Sequence, residues 1–227
     1  HRHSDRGTNH STNHSTNHST NHSTDGSADD TNTPLVPPTP TPSPTGVASC
    51  TNLLMNGGFE SDSSWLFGVV AVPAQYTGNQ YYGGARSMQF GSPPDGAFAG
   101  GSYSSIRQAV TIPADASIVT LRWWHLLGTQ EAVMNAPGTS SDRQEVLLLT
   151  PSEQVLFVAQ RVRRNDADWQ QTTIDIDLTA YREQTVTLYF NVFNDGNSLR
   201  TWMYVDDVQL ETCAPSGTPV ATLTPTP

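Results

Sequence analysis

Between residues 50 and 213 the chain runs through short stretches in which apolar and polar side chains alternate, each closed by turn-forming residues. The clearest is Thr185-Val186-Thr187-Leu188-Tyr189-Phe190-Asn191-Val192, whose Val186, Leu188, Phe190 and Val192 share one face of an extended chain. Strand-like runs fall at 52–55, 67–73, 86–90, 104–112, 117–128, 144–150, 154–161, 170–177, 184–194 and 201–211. Turn signals separate them: Asn56-Gly57-Gly58, Tyr82-Gly83-Gly84, Pro93-Pro94-Asp95-Gly96, Pro113-Ala114-Asp115, Pro137-Gly138 and Asn194-Asp195-Gly196-Asn197. No window of helical period exceeds about two turns. Many short strands at regular spacing predict an all-β fold, an antiparallel β-sandwich. Thr120 to Leu127 is apolar at nearly every position, as a strand covered on both faces would be.

The last run, Thr201 to Glu211, carries two adjacent acids, Asp206 and Asp207. Neighbouring side chains on a strand point to opposite faces, so only one of the two can turn inward. An inward carboxylate needs a partner, and the chain has no lysine and eleven arginines. A hard cation is the natural candidate. Its second ligand is expected upstream, in Asn52-Leu53-Leu54-Met55-Asn56-Gly57-Gly58-Phe59-Glu60.

The alternating region accounts for roughly 165 residues, enough for one domain with its own core. The two cysteines, Cys50 and Cys213, stand at its two borders. Paired, they would close a loop of about 160 residues, worth roughly 5 kcal/mol in loop-closure entropy. Bridges of this kind persist outside the cytosol. The formal net charge of −10 argues against nucleic acid as a partner. No run of ~18 apolar residues is present to span a membrane. The first residue is His1 with no signal peptide before it, which reads as a processed or trimmed start.

Residues 1–30 are low complexity, with Thr-Asn-His-Ser repeated four times from Thr8 to Ser23. Ala28 is the one apolar residue of this tail, too little for a core, so in isolation it is expected to be disordered. Three readings stay open. It is a solvated spacer; or a stalk glycosylated at the Asn-His-Ser tripeptides of Asn9, Asn13, Asn17 and Asn21, or on its Ser and Thr residues; or a metal-capturing row formed by His10, His14, His18 and His22. Identical repeats could also stack in order within an assembly. Residues 31–49 and 214–227 are Pro/Thr-rich and read as extended linkers. The second linker pattern is still running at Pro227, so more protein is expected beyond it.

Several segments together carry a family resemblance. They are Asn56-Gly57-Gly58-Phe59-Glu60 with Trp65, Gly84-Ala85-Arg86-Ser87-Met88, Ser105 to Pro113, Leu121-Arg122-Trp123-Trp124, Trp169, Asp177 to Tyr181 and Val205-Asp206-Asp207-Val208. In this order they resemble the galactose-binding-like jelly rolls, and are similar to the carbohydrate-binding modules of xylanases and cellulases. The second half also resembles the MAM-like accessory domains of immune-inhibitor-A-type peptidases. The resemblance implies a calcium ion tying the first strand to the last. Carried over, Glu60 and Asp206 would be side-chain ligands. Backbone carbonyls near Asn56 or Gly58, and from the loop before Ser87, would complete the six to eight oxygens that calcium takes. Without metal, Asp206 would instead cap neighbouring backbone amides, and Asp207 is expected to face outward.

Chemistry beyond binding is not expected. His125 is the one histidine of the alternating region, and it lies in an apolar run. Asp206 and Asp207 diverge too far to flank a glycosidic bond. No phosphate-cradling glycine loop or His-Glu-x-x-His is present. Sugar recognition uses aromatic faces beside planar polar groups. Trp65, Tyr76, Tyr81, Tyr82, Trp124 and Trp169 are the aromatic candidates, and core packing is the competing role for each. Tyr81 and Tyr82 sit in a Gly/Asn/Gln-rich loop, and Trp124 shares a strand face with Arg122.

Three functions follow. The first is a non-catalytic structural or adhesive subunit of an extracellular or cell-surface filament or matrix, self-associating or glycosylated through its tail. The second is a carbohydrate-binding module of a larger glycan-degrading enzyme, with a polysaccharide as partner. The third, a peptidase accessory domain, rests on resemblance alone.

Overall fold

A computed structural model describes residues 50–213, apart from 99 and 117. The tetrapeptide repeat with Asn9, Asn13, Asn17 and Asn21, and both Pro/Thr-rich linkers, lie outside the described residues.

Two antiparallel sheets face each other as a jelly-roll sandwich. The first is built from β3 (Gln75–Thr77), β4 (Ser87–Gly91), β11 (Thr201–Cys213), β6 (Ile118–Thr129) and β9 (Gln170–Asp177), in that order, with β1 (Cys50–Asn52) also pairing with β11. The second runs β2 (Leu66–Phe67), β5 (Ser102–Thr111), β10 (Thr185–Asn194), β7 (Arg143–Leu149) and β8 (Val155–Val162). A short 3-10 turn, Thr179–Tyr181, joins β9 to β10.

Alternation explains the core. Val186, Leu188, Phe190 and Val192 of β10 all turn inward and are fully buried. From the other sheet Val119, Leu121, Trp123 and Leu127 of β6, and Met203 and Val205 of β11, meet them. Phe190 sits at the centre, with its ring 6.1 Å from Trp65, 6.3 Å from Phe90 and 6.5 Å from Trp123. The Trp65 indole N–H donates to the Asn56 carbonyl at 2.9 Å, so the one polar atom of this buried ring is satisfied.

Three local readings of the sequence change. The run at 67–73 supplies only Phe67 of the two-residue β2, and 68–73 form no strand. β3 was not foreseen, because three residues are too few to show a period. Asp206 is fully buried, but not in the sandwich core. Met203 and Val205 fill the inward positions, so Asp206 lies on the outer side of the sheet. A bulge follows, with Asp207 at φ +44°, and it returns Val208 and Leu210 to the core.

Cys50 and Cys213 form a disulfide across the β1–β11 pair and close 163 residues of chain. Among the described residues, no helix is long and apolar enough to cross a membrane.

Candidate functional site

The corner chosen for calcium is built around the loop 82–86. Asp206 reaches up from β11, and its Oδ2 accepts the backbone N–H of Tyr82 at 2.8 Å and of Gly83 at 3.0 Å. Its Oδ1 accepts the N–H of Asp207 at 2.8 Å. Burial pushes its carboxyl up to about 6, although those three amides and their positive ends pull the other way. Glu60 holds the far side of the same loop, and its Oε1 accepts the N–H groups of Ala85 at 2.9 Å and Arg86 at 3.1 Å. These two amides hold its carboxyl below the usual glutamate range. Gly84 has φ +63°, which favours glycine, and a Cβ there would lie 2.2 Å from Glu60 Oε1 and push that carboxylate off the loop. A Cβ on Gly83 would meet the Asp207 carboxylate at 2.8 Å, and one on Gly58 would meet it at 3.2 Å.

Glu60, Asp206 and Asp207 each contact this glycine-rich loop, but their oxygens do not gather within 4.8 Å of one another, and Asp206 caps backbone amides as expected of it without metal. The cation beside them is Arg86, which pairs with Asp62 at 2.7 Å. An excess of negative charge, with oxygen the only donor atom type, suits a hard cation. Asn56 is committed elsewhere. Its carbonyl accepts from Trp65 Nε1 and from the N–H of Phe59, and its side-chain amide bonds to Ser61 and Ser63.

The aromatic candidates Tyr82 and Trp124 meet each other. Their rings stack 3.7 Å apart at 14°, with Trp169 6.2 Å from Tyr82. Asp206 fixes this stack, since it holds the Tyr82 amide directly opposite Trp124 in the β11–β6 register. The outer face of Trp124 is thus covered by Tyr82. Arg122, on the same strand face, donates to Gln209 at 3.1 Å and lies 3.7 Å from Glu211. Tyr81 is 46% exposed on the same loop.

His125 is a strut. Its Nδ1 faces Asp166 Oδ2 at 2.9 Å and its Nε2 faces Thr172 Oγ1 at 3.0 Å. Asp166 also accepts the N–H of Leu127 and the Arg164 guanidinium. Burial raises the Asp166 carboxyl, but its bonds to His125 and Leu127 outweigh this and hold it low. The chain of groups is spent on joining β6 to β9 and to the segment before it.

A cleft that sequence reasoning missed crosses the outer face of the other sheet. It has a volume of about 610 Å³. Its floor comes from the positions that alternation assigns to solvent: Tyr103, Ser105 and Arg107 of β5, Tyr189 and Asn191 of β10, and Arg143, Glu145, Leu147 and Leu149 of β7. β7 is nevertheless buried along its whole length. Two register shifts in the β7–β8 pair bend β8, as bulges do. Leu66 and Val69 stand exposed on one rim and Val155 on the other.

The cleft's polar groups form one network. Glu145 accepts from Arg161 Nε at 2.6 Å and from Asn191 Nδ2 at 2.9 Å. Arg143 Nε lies 3.0 Å from the same carboxylate, but off hydrogen-bond alignment, so this buried nitrogen has no bonded partner. Asn191 Oδ1 is likewise buried and accepts nothing. The Arg143 guanidinium lies 4.4 Å from the Phe193 ring centroid, and the Tyr103 ring packs 4.7 Å from Phe193. Burial keeps the Tyr189 hydroxyl above the usual tyrosine range, so it stays a neutral donor. Arg107, Arg143 and Arg161 outnumber Glu145 and Glu153, which leaves the cleft positive in an acidic chain.

No protein-family model matches the sequence, and no curated protein matches it. Similar solved structures include TmCBM61 in complex with β-1,4-galactotriose, at 14% identity and TM-score 0.48, covering 70% of this chain and 97% of that one. The xylan-binding CBM22-1 domain of Xyn10C from Paenibacillus barcinonensis is 13% identical with TM-score 0.41, covering 77% and 99%. A cyclase from Fischerella sp. TAU is 17% identical with TM-score 0.49, covering 75% and 100%.

Proposed function

We propose that this domain is a non-catalytic, extracellular carbohydrate-binding module, and that it takes a polysaccharide along the cleft of β2, β5, β10, β7 and β8. The observation that carries this reading is the pairing of Tyr103 and Tyr189 with a planar polar network whose buried Asn191 Oδ1 has no hydrogen-bond partner and whose Arg143 Nε meets Glu145 only as an ion pair out of hydrogen-bond alignment. A sugar ring offers apolar C–H faces to aromatic rings and hydroxyls to amide and guanidinium edges. A buried polar atom costs free energy until it is bonded, so such a floor favours a hydroxyl-rich ligand over an apolar one. The disulfide supports an oxidising compartment. No described residue favours the filament reading, which draws on the repeat and linkers.

The test is affinity electrophoresis through gels cast with neutral and with uronic-acid-bearing polysaccharides. Retardation by at least one is expected. Tyr103 is 44% exposed, so Tyr103→Ala should leave the fold intact. It is expected to weaken that binding about tenfold, the size of a lost aromatic contact of ~1.5 kcal/mol. Retardation that is unchanged in Tyr103→Ala, but lost in Trp124→Ala, would move the site to the opposite sheet.

We further propose that calcium braces the corner of Glu60, Asp206 and Asp207, with the Gly58 carbonyl among its oxygens. The ion would bind the folded chain alone, so a hundredfold excess over its Kd adds about 2.7 kcal/mol. Chelation is expected to lower the Tm by roughly 5–10 °C. A thermal melt that EDTA leaves unmoved would remove the ion from this corner.

A further inference from the structure

A second group of acids comes together where three loops meet at one end of the sandwich. Glu131 follows β6, Asp142 precedes β7, and Asp195 follows β10. Each brings a carboxylate oxygen within 4.8 Å of the other two. Exposed acids often cluster without consequence, but Asp142 is fully buried. Its Oδ1 accepts the Asp195 N–H at 2.5 Å. Its Oδ2 is buried and has no hydrogen-bond partner. A buried carboxylate oxygen left unpaired beside two like charges is costly.

The groups around it do not cancel the charge. Glu131 pairs with Arg163 and accepts from the Asn197 side-chain amide. Asp195 Oδ1 accepts the Asn197 N–H at 3.0 Å. One guanidinium against three carboxylates leaves an excess of two negative charges. Burial raises the Asp142 carboxyl; the Asp195 amide and the Thr201 hydroxyl, which is bonded to Thr129 and lies outside hydrogen-bond geometry to Asp142, oppose this, and the Glu131 and Asp195 charges add to it. Each carboxylate oxygen has two acceptor directions, so all three side chains keep capacity for a further bond. The ligand atoms are oxygens alone, with no histidine or cysteine in the group, which selects a hard divalent ion over zinc or copper.

We propose that Glu131, Asp142 and Asp195 bind a calcium ion, at a site separate from Glu60 and Asp206. The ion joins the start of β7 to the turn between β10 and β11. Arg143 and Phe193, which pack on each other at one end of the cleft, lie one and two residues from its ligands.

Calcium chloride titrated calorimetrically into the chelator-treated full chain tests this directly. Asp195 is exposed, and Asn at that position can still accept the Asn197 amide, so Asp195→Asn should fold. We expect Asp195→Asn to lose one equivalent of calcium, or to weaken it at least tenfold, and Glu60→Gln to retain that equivalent. Asp142→Asn should show the same loss. Unchanged stoichiometry and affinity in Asp195→Asn would overturn the proposal. So would the loss of all uptake in a folded Glu60→Gln protein. An Asp142 that merely shares a proton with its neighbours would give no calcium uptake at this site, and a higher Tm in Asp142→Asn, which also overturns it. Failure of the Glu60 corner reads differently: one equivalent in the parent chain, lost in Asp195→Asn.

Discussion

Replacing Cys50 and Cys213 by serine is expected to destabilise the domain by about 5 kcal/mol, the loop-closure entropy for the 163 residues that the bridge spans. At this domain size the loss lowers the Tm by roughly 10–20 °C. The magnitude follows from what else holds the first strand. β1 has three residues, all exposed, and its neighbours are those of β11 alone. Beyond the ladder, the chain entering the core is pinned by Asn52, whose Oδ1 accepts the N–H groups of Leu210 at 3.0 Å and Leu54 at 3.1 Å. The N–H of Leu53 adds a bond to the Leu210 carbonyl at 2.8 Å. These few bonds cannot replace the covalent constraint on the unfolded chain. Paired melts of the oxidised and serine-substituted proteins measure it, and a difference under 3 °C would mean that the bridge contributes nothing beyond β1.

The strands were legible wherever one face of the chain is core. The alternation in β10 gave both its extent and its inward residues, and the 170–177 run matches β9 to the residue. The outer faces were less legible, for a physical reason. Alternation separates the inside of a sandwich from its outside, but does not say whether the outside is convex or folded into a cleft. That depends on bulges and edge strands. The bulges of β8 bury Glu145, Leu147 and Leu149 on the side away from the core. A signal was nonetheless present. The outward positions of β10 read Thr187, Tyr189, Asn191 and Phe193, an aromatic and amide row where a plain solvent face would be charged. Trp124 misled for the opposite reason. Its aromatic content was visible, but the loop that lays Tyr82 over it is held by Asp206, more than a hundred residues later. Asp206 itself was recognisable as the buried member of its pair, while the loop that buries it on the outer side of the sheet comes from more than a hundred residues earlier, and the bulge that follows it at a non-glycine residue has no local pattern to announce it.

Glu145→Ala is expected to cost about 3–5 kcal/mol of stability and to abolish polysaccharide retardation. Glu145 is 3% exposed and Arg143 4%, so water screens neither. Removing the carboxylate leaves the Arg143 and Arg161 guanidinia facing each other across the cleft floor, and leaves the Asn191 amide without its acceptor. The larger part of the cost is that stranded charge, not the lost attraction. Glu145→Gln separates the two. It preserves the shape and one acceptor oxygen but not the charge, so a smaller loss is expected from it than from alanine. Urea unfolding should show the midpoint falling in both variants with the slope unchanged, since the folded and unfolded states keep their exposure. Binding must then be compared under conditions where both variants are folded. A Glu145→Ala protein of parental stability would show that the arginines relax into solvent. A folded Glu145→Ala protein that still binds with parental affinity would show that the sugar does not contact this network.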